Sequence, residues 1–405
     1  MTMTPIRRAA LSPLGIIASG LTLSVAAAHA QGAPSRASTK PWRASSTVEI
    51  ATGYDDNIFL LADSKLDNLR TPSASSRMSG RYTDMESGGD LVTTLRAAAE
   101  FKGSGVAGRP MRLAPEIEYD AYARNAKRRN ASVSLAADHS LPHHGELRLR
   151  AGMTPSYFAK NYLADALDRN GDGSIASSER IYAAGTYAER EISVDYRLRV
   201  AKSTKAHPFG AAVSLEAGYY GRSYKAPFAA RDLSGPTVTL ALPFDLTRRF
   251  AVEVNYERLQ LAATPTRSVL LLDETQFNRD FNGNGTATDQ SARAFEMVDR
   301  TRTENNAGVE ARYELMPHLD VRINYERRSR DYGSAEPYDI ANNGRRDSRN
   351  EFGFELGWHV MHGLQATAAV RSSAQMLNRE NDPGAIGEVD DYHRKQFRLG
   401  LARQF

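Results

Sequence analysis

The residues of "EFGFELGWHV" alternate without a break. Phe352, Phe354, Leu356, Trp358 and Val360 fall on one face, and Glu351, Gly353, Glu355, Gly357 and His359 on the other. "GELRLRAGM" sets Leu147, Leu149, Ala151 and Met153 against Glu146, Arg148 and Arg150. "MRLAPEIEYDAYA" places Leu113, Ile117, Tyr119 and Ala121 opposite Arg112, Glu116, Glu118 and Asp120. A period of two over eight or more residues is the signature of a strand with one apolar and one polar face. A soluble sandwich shows the same period. Length separates the two cases: many of these runs exceed the ~5–6 residues usual in soluble strands and reach the ~9–11 that a tilted transmembrane strand requires.

The pattern predicts strands at 46–59, 91–103, 110–124, 131–140, 145–158, 186–202, 209–222, 234–244, 248–262, 301–315, 318–333, 347–360, 363–377 and 391–405. Links after the even-numbered strands are tight: "GSGVAG", "LPHH", "STKAHP", "DLT", "MP" and "MH". Links after the odd-numbered strands are mostly long and polar: 60–90, 159–185, 263–300, 334–346 and 378–390. A lipid bilayer admits only helices and closed barrels, because each backbone polar group needs a partner. The expected fold is therefore all-β: a transmembrane antiparallel up-and-down β-barrel of about 14 strands, with short periplasmic turns and long extracellular loops. The phase slips near residue 258, where Val252, Val254 and Tyr256 give way to Leu259 and Leu261; a β-bulge is expected there. Tyr54, Tyr119, Tyr219, Tyr256, Tyr313, Tyr325 and Trp358 occupy the apolar phase, which suits aromatic girdles at the two interfaces.

The first thirty residues carry a different signal. Arg7 and Arg8 precede a short apolar stretch from Leu11 to Val25, and Ala28-His29-Ala30 is a small-x-small cleavage pattern. Residues 1–30 are expected to be a cleaved signal peptide, 31–45 a flexible periplasmic segment, and 46–405 the barrel. The final strand, "YHRKQFRLGLARQF", alternates Phe397, Leu399 and Leu401 and ends on Phe405. It resembles the C-terminal strand of Gram-negative outer-membrane β-barrel proteins. That resemblance implies a bacterial outer-membrane location, contact with outer-membrane lipid and lipopolysaccharide, and reading of the terminal aromatic by the barrel-assembly machinery. "ATGYDDNIF" resembles the opening strand of proteobacterial porin-like barrels.

Two links carry candidate metal chemistry. In "DRNGDGSIASSE", Asp168, Asn170 and Asp172 hold positions 1, 3 and 5, Gly173 the turn at 6, Ser174 the carbonyl at 7, and Glu179 the bidentate carboxylate at 12. This resembles the EF-hand loop and implies Ca2+. "YLADAL" before it and "SERIYAA" after it are expected as short flanking helices. Outside a cell, where calcium is roughly constant, the ion would stiffen the loop rather than signal. A weaker second loop, "DFNGNGTATDQS", offers Asp280, Asn282, Asn284 and Thr286, but position 12 is Ser291; an Asn-Gly turn that binds nothing explains it as well.

Composition narrows the functions. The chain holds no cysteine, which excludes a disulfide framework, and its net charge of +4 argues against a dedicated nucleic-acid binder. Inward-phase charges have both signs, including Glu100, Asp195, Glu253, Arg96, Arg197 and Arg371, so no strong preference between cations and anions is expected. The histidines fall mostly in the short turns and form no Ser–His–acid grouping, so no catalytic residue is assigned. A passive channel for small hydrophilic solutes is the leading expectation. A non-channel surface barrel, or one associated with exopolysaccharide export, stays open.

Overall fold

Fourteen strands close on themselves in the order β1-β16-β15-β14-β13-β12-β9-β8-β7-β6-β5-β4-β3-β2, every neighbour antiparallel. The computed structural model describes residues 41–72, 80–166, 180–202, 204, 208–263, 266–269, 295–335, 342–378 and 391–405. The strands are β1 (Arg43–Asp55), β2 (Asp90–Ser104), β3 (Pro110–Tyr122), β4 (Asn130–Ser140), β5 (Gly145–Ala166), β6 (Arg180–Ala201), β7 (Gly210–Tyr224), β8 (Leu233–Asp245) and β9 (Phe250–Leu261). After a two-stranded hairpin, β10 (Thr266–Val269) with β11 (Phe295–Val298), come β12 (Arg302–Met316), β13 (Leu319–Tyr332), β14 (Arg346–Met361), β15 (Leu364–Asn378) and β16 (Tyr392–Gln404). The expected antiparallel up-and-down barrel of fourteen strands is the observed one.

Short links gather at one end of the barrel: 105–109, 141–144, 246–249, 317–318 and 362–363 among them. One of the two-residue links, His362-Gly363, turns through a positive φ of 74° at Gly363, a conformation that glycine adopts without steric cost. The strand ends joined by the longer links, including 56–89, 167–179, 262–301, 333–345 and 379–391, lie at the opposite end.

Closure depends on the two ends of the chain. Register runs from Thr47↔Gln404 to Asp55↔Gln396, and Phe405 exchanges backbone bonds with Ser46 at 2.9 and 3.3 Å. Arg394 Nε donates to both Asp55 carboxylate oxygens at 3.1 and 3.0 Å, locking the other end of the seam. At Gly53 a Cβ would lie 2.2 Å from the Phe397 carbonyl, so the seam tolerates no side chain there.

Three expectations fail. No bulge occurs at residue 258: β9 keeps its register with β8 and β12 through Arg258↔Val238 and Arg258↔Asn305. Arg258 simply takes an outward position, and Leu259 and Leu261 turn inward near the mouth. The flanking helices are absent, because Tyr162–Ala166 and Arg180–Ala184 are strand. β5 and β6 pair as far as Ala166↔Arg180, each 22 residues long, with several bulges along the way. Finally, the segment expected to be flexible to residue 45 already joins the barrel at Arg43.

The distribution of side chains inverts that of a soluble protein. Ile50, Leu149, Ile192, Leu215, Val254, Phe352, Trp358 and Leu399 are exposed on the outside, whereas Asp195, Glu253, Glu304 and Glu351 are buried on the inside. An outward apolar band around a polar interior is what a barrel needs in lipid, where greasy side chains gain nothing by facing inward. The alternation along the strands is what keeps the two sets apart, and the bulges of the β5–β6 pair lie beyond Thr154, toward the long links.

Candidate channel lumen

Strands about 4.8 Å apart, fourteen of them tilted about 40°, close a ring about 28 Å across between backbones. That is wider than inward side chains fill on their own. What lines it is a set of arginine–carboxylate pairs. On β12 and β13, Arg330 Nε meets Glu304 at 3.0 Å and Arg302 Nε meets the other Glu304 oxygen at 2.6 Å. Arg322 lies between Glu310 and Glu355, both at 3.3 Å. Around the seam, Arg96 meets Glu49, Glu116 and Glu118, and Arg398 reaches Glu49 at 3.0 Å. Glu351 receives both Arg349 and Arg371.

All of these pairs except Arg322–Glu355 share an arrangement. Arg371 is 40% exposed while its partner Glu351 is 3%; Arg398 is 41% exposed and Glu49 20%. The carboxylates lie against the wall, and the longer guanidinium stems reach past them toward the lumen. A buried carboxylate costs several kcal/mol unless paired and hydrogen-bonded, so each pair makes the acid tolerable while leaving a planar donor on the inner surface.

Not all neighbours have opposite sign. Asp195 lies directly across from Glu216, and Glu253 across from Glu310. Like charges facing across a ladder are destabilising. Around the first pair the wall compensates locally: the Ser214 hydroxyl donates to Asp195, and Arg150 reaches Glu216 at 2.8 Å. Further round, Arg328 donates to Asn306, which donates to Glu257 at 2.6 Å, so polar amides connect the charged groups into one lattice.

The mouth at the long-link end is built differently. The link 56–89 carries the helix α1 (Asp63–Arg70), with Asp63 in its first turn and Arg70 in its last, signs that suit the helix dipole. Ile58, Phe59, Leu61, Leu69 and Met85 form an apolar cluster with Tyr122 and Phe158, with Val92 and Ala184 against it. Tyr122 and Val92 hold inward positions on β3 and β2, so this small core is seated against the inside of the rim. Two buried asparagines fix it. Asn57 Nδ2 donates to the carbonyls of Leu61 and His393 at 2.7 and 2.9 Å, and its Oδ1 accepts from Leu61 N at 2.9 Å. Asn125 accepts from Glu86 N at 2.9 Å and donates to Asp90 at 2.8 Å. Arg128 stacks over Phe59 and Tyr157, 5.0 and 4.8 Å from the ring centres, and donates to the Ala159 carbonyl at 2.6 Å.

This mouth fold escaped the pattern reading. Its trace is the apolar run Ile58-Phe59-Leu60-Leu61, which crosses from the strand expected at 46–59 into the link at 60–90, with Asn57 directly before it.

The calcium candidates Asp168, Asn170, Asp172, Ser174 and Glu179, and the second set Asp280, Asn282, Asn284 and Thr286, lie outside the described residues. What the fold places on either side is informative. The β5–β6 hairpin pairs at Ala166↔Arg180, so the two ends of the first candidate loop emerge from neighbouring strands. Among the described residues, no group of three or more His, Asp or Glu side chains is arranged to hold a metal.

No protein-family model matches the chain, and no curated protein matches it. Among solved structures it is similar to the outer membrane channel DcaP of Acinetobacter baumannii, at 11% identity over 92% of this chain and 99% of that one, with a TM-score of 0.41. A bacterial polysaccharide outer membrane secretin matches at 9% identity over 89% and 98%, TM-score 0.40. OprD of Pseudomonas aeruginosa matches at 10% identity over 89% and 95%, TM-score 0.35. Likenesses this distant carry no argument about function.

Proposed function

We propose that the chain is a bacterial outer-membrane channel that passes small hydrophilic solutes by diffusion. One observation supports this reading above the rest: a closed fourteen-strand barrel whose outward side chains are apolar and whose inward ones are ionic. The chain is exported by a cleaved segment at 1–30, and the assembly machinery reads the strand that ends on Phe405. The short links face the periplasm and the long ones the outside. No catalytic grouping is assigned, and the function needs none.

Planar-bilayer recording of the purified protein tests the channel. Discrete conductance steps are expected. Silence from protein shown to be inserted favours the second reading, a surface barrel whose mouth is closed by the folded link at 56–89; the apolar core seated against the rim is the observation that favours it.

The loop 168–179 is proposed as a Ca2+ site that stiffens the tip of the β5–β6 hairpin, with Asp168, Asn170, Asp172 and Glu179 supplying side-chain oxygens and Ser174 a carbonyl. Asp168→Ala combined with Glu179→Ala is expected to abolish terbium luminescence while the barrel still folds. Luminescence that survives in this variant rules the loop out. The second loop, from Asp280, enters only as a weaker candidate for the same assay.

A further inference from the structure

The lipid-facing surface has a charge pattern that the channel reading does not use. Among barrel-strand residues with described side chains, Asp331 is the one carboxylate at an outward position, and it pairs with Arg346 at 3.5 Å. Every other acid of these strands, from Glu49 on β1 to Glu355 on β14, points inward. The bases are not partitioned this way. Arg190, Arg258, Arg327 and Lys395 are outward and exposed, and none has an ion-pair partner among the described residues.

Each occupies the same place in its strand's pattern, one outward step beyond an exposed apolar side chain. Arg190 stands two positions beyond the exposed Ile192 on β6, Arg258 two beyond Tyr256 on β9, Arg327 two beyond Tyr325 on β13, and Lys395 two beyond Phe397 on β16. In each case the base lies toward the long-link end. The edge of the apolar band there is marked by a repeated contact. Tyr219 pairs with Ser234 at 3.0 Å, Tyr256 with Asn305 at 2.8 Å and Tyr325 with Asn350 at 2.9 Å, each hydroxyl meeting a polar side chain on the next strand, one step outward. A tyrosine with its ring in the apolar band and its hydroxyl satisfied by a polar group sits where hydrocarbon gives way to headgroups. The four bases follow directly above that line. They span β6 to β16 only; outward positions at this height on β1 to β5 are uncharged, among them Tyr54, Leu91, Ala121, Ala131 and Met153.

We propose that Arg190, Arg258, Arg327 and Lys395 form a one-sided collar that binds the phosphate groups of the outer-leaflet glycolipid, the phosphorylated glucosamine headgroup in particular. An outward charge near the interface costs ~0–1 kcal/mol when it finds no partner. Guanidinium on phosphate is a charge-assisted and often bidentate contact. Carboxylates near this surface are few and engaged: Asp331 meets Arg346, and Asp56, directly beyond β1, accepts from the Lys395 backbone N at 2.7 Å. This inference rests on the outer-membrane reading above.

The test uses the full barrel folded in detergent micelles and fluorescent lipid A, with dephosphorylated lipid A and inorganic phosphate as the other arms. The comparison variant is Arg190→Gln, Arg258→Gln, Arg327→Gln and Lys395→Gln together, checked for native heat-modifiable migration on a gel. The wild-type barrel is expected to bind phosphorylated lipid A at least about tenfold more tightly than the variant does, and to show no such advantage with the dephosphorylated lipid. Equal affinity for the two lipids, or unchanged affinity in the variant, overturns the collar. Competition by millimolar inorganic phosphate alone would reassign the arc to a soluble anion and likewise overturn it. Failure of the wild-type protein to insert in any vesicle overturns the outer-membrane reading itself, a result distinct from the others.

Discussion

Along β13, Ile323 and Tyr325 are exposed to the outside, while the residues flanking them, Arg322 and Glu326, turn inward into ion pairs. The same fourteen residues thus meet two media. Outward, the positions within the apolar band are chosen for what they lack, namely charge. Inward, the charges are tolerated because of partners beside them: Arg322 has Glu310 and Glu355 on the neighbouring strands, and Glu326 has Arg328 on its own. The difference teaches that the outer face is specified residue by residue, whereas the inner face is specified by pairs. A single outward error is therefore local, while a single inward error strands its neighbours.

That contrast orders the expected effects. Glu304 is buried between Arg302 and Arg330. Glu304→Ala leaves two guanidinium groups without their shared acid and should cost ~3–5 kcal/mol, read as a shift of the urea unfolding curve of vesicle-embedded protein. Leu399→Arg places a charge in the middle of the apolar band on β16 and should cost ~2–4 kcal/mol in the same assay. If the outward change proves the costlier, the pairing argument for the inner face is wrong.

Asn57→Ala removes the bonds to Leu61 and His393 that hold the mouth link and should cost ~1–3 kcal/mol. Here the loss is local, so faster amide exchange confined to residues near 57–61 and 393 is the more telling readout; exchange spread over the barrel would contradict it. Tyr256→Phe deletes one interfacial hydroxyl contact to Asn305 and should change stability by ~0.5–1.5 kcal/mol. It sharpens the position of the band's edge, since a phenylalanine there should sit slightly deeper in lipid.

The chain shows plainly why the barrel was legible and the mouth was not. Period-two alternation depends only on which face of a strand meets which medium, and that rule holds from Val48 to Leu401 with no long-range information. Strand ends are set by something else. β5 and β6 run on to Ala166 and from Arg180, past the band, and there Tyr157, Tyr187 and Tyr224 form a row of tilted, mutually packed rings with centres 5.1 and 5.0 Å apart. Alternation cannot report that, since these residues have no lipid to avoid. The mouth core joins Phe59 to Phe158, almost a hundred positions apart in the chain, through one edge-to-face contact at 6.2 Å. Nothing local distinguishes Phe59 from any other apolar residue in a link. Arg258 was misjudged for a related reason: an arginine on the apolar phase reads as a broken register, although near the interface it is an ordinary outward residue whose stem lies along the band.

The lumen was legible as a list of inward charges but not as pairs. Which arginine meets which acid depends on the stagger between strands, as in Glu49 meeting Arg96 on one side and Arg398 on the other. Sequence alone fixes neither distance.

The most direct measurement is a spin-label scan of β13. The chain has no cysteine, so each single-cysteine variant from residue 320 to 327 carries one label at a known site. In lipid vesicles, labels at 321, 323 and 325 should be relaxed by dissolved oxygen and labels at 322, 324 and 326 by a water-soluble nickel chelate, in strict alternation. Labels that respond alike at odd and even positions, or even-numbered labels that the chelate never reaches, would contradict a lipid-embedded barrel around a water-filled lumen.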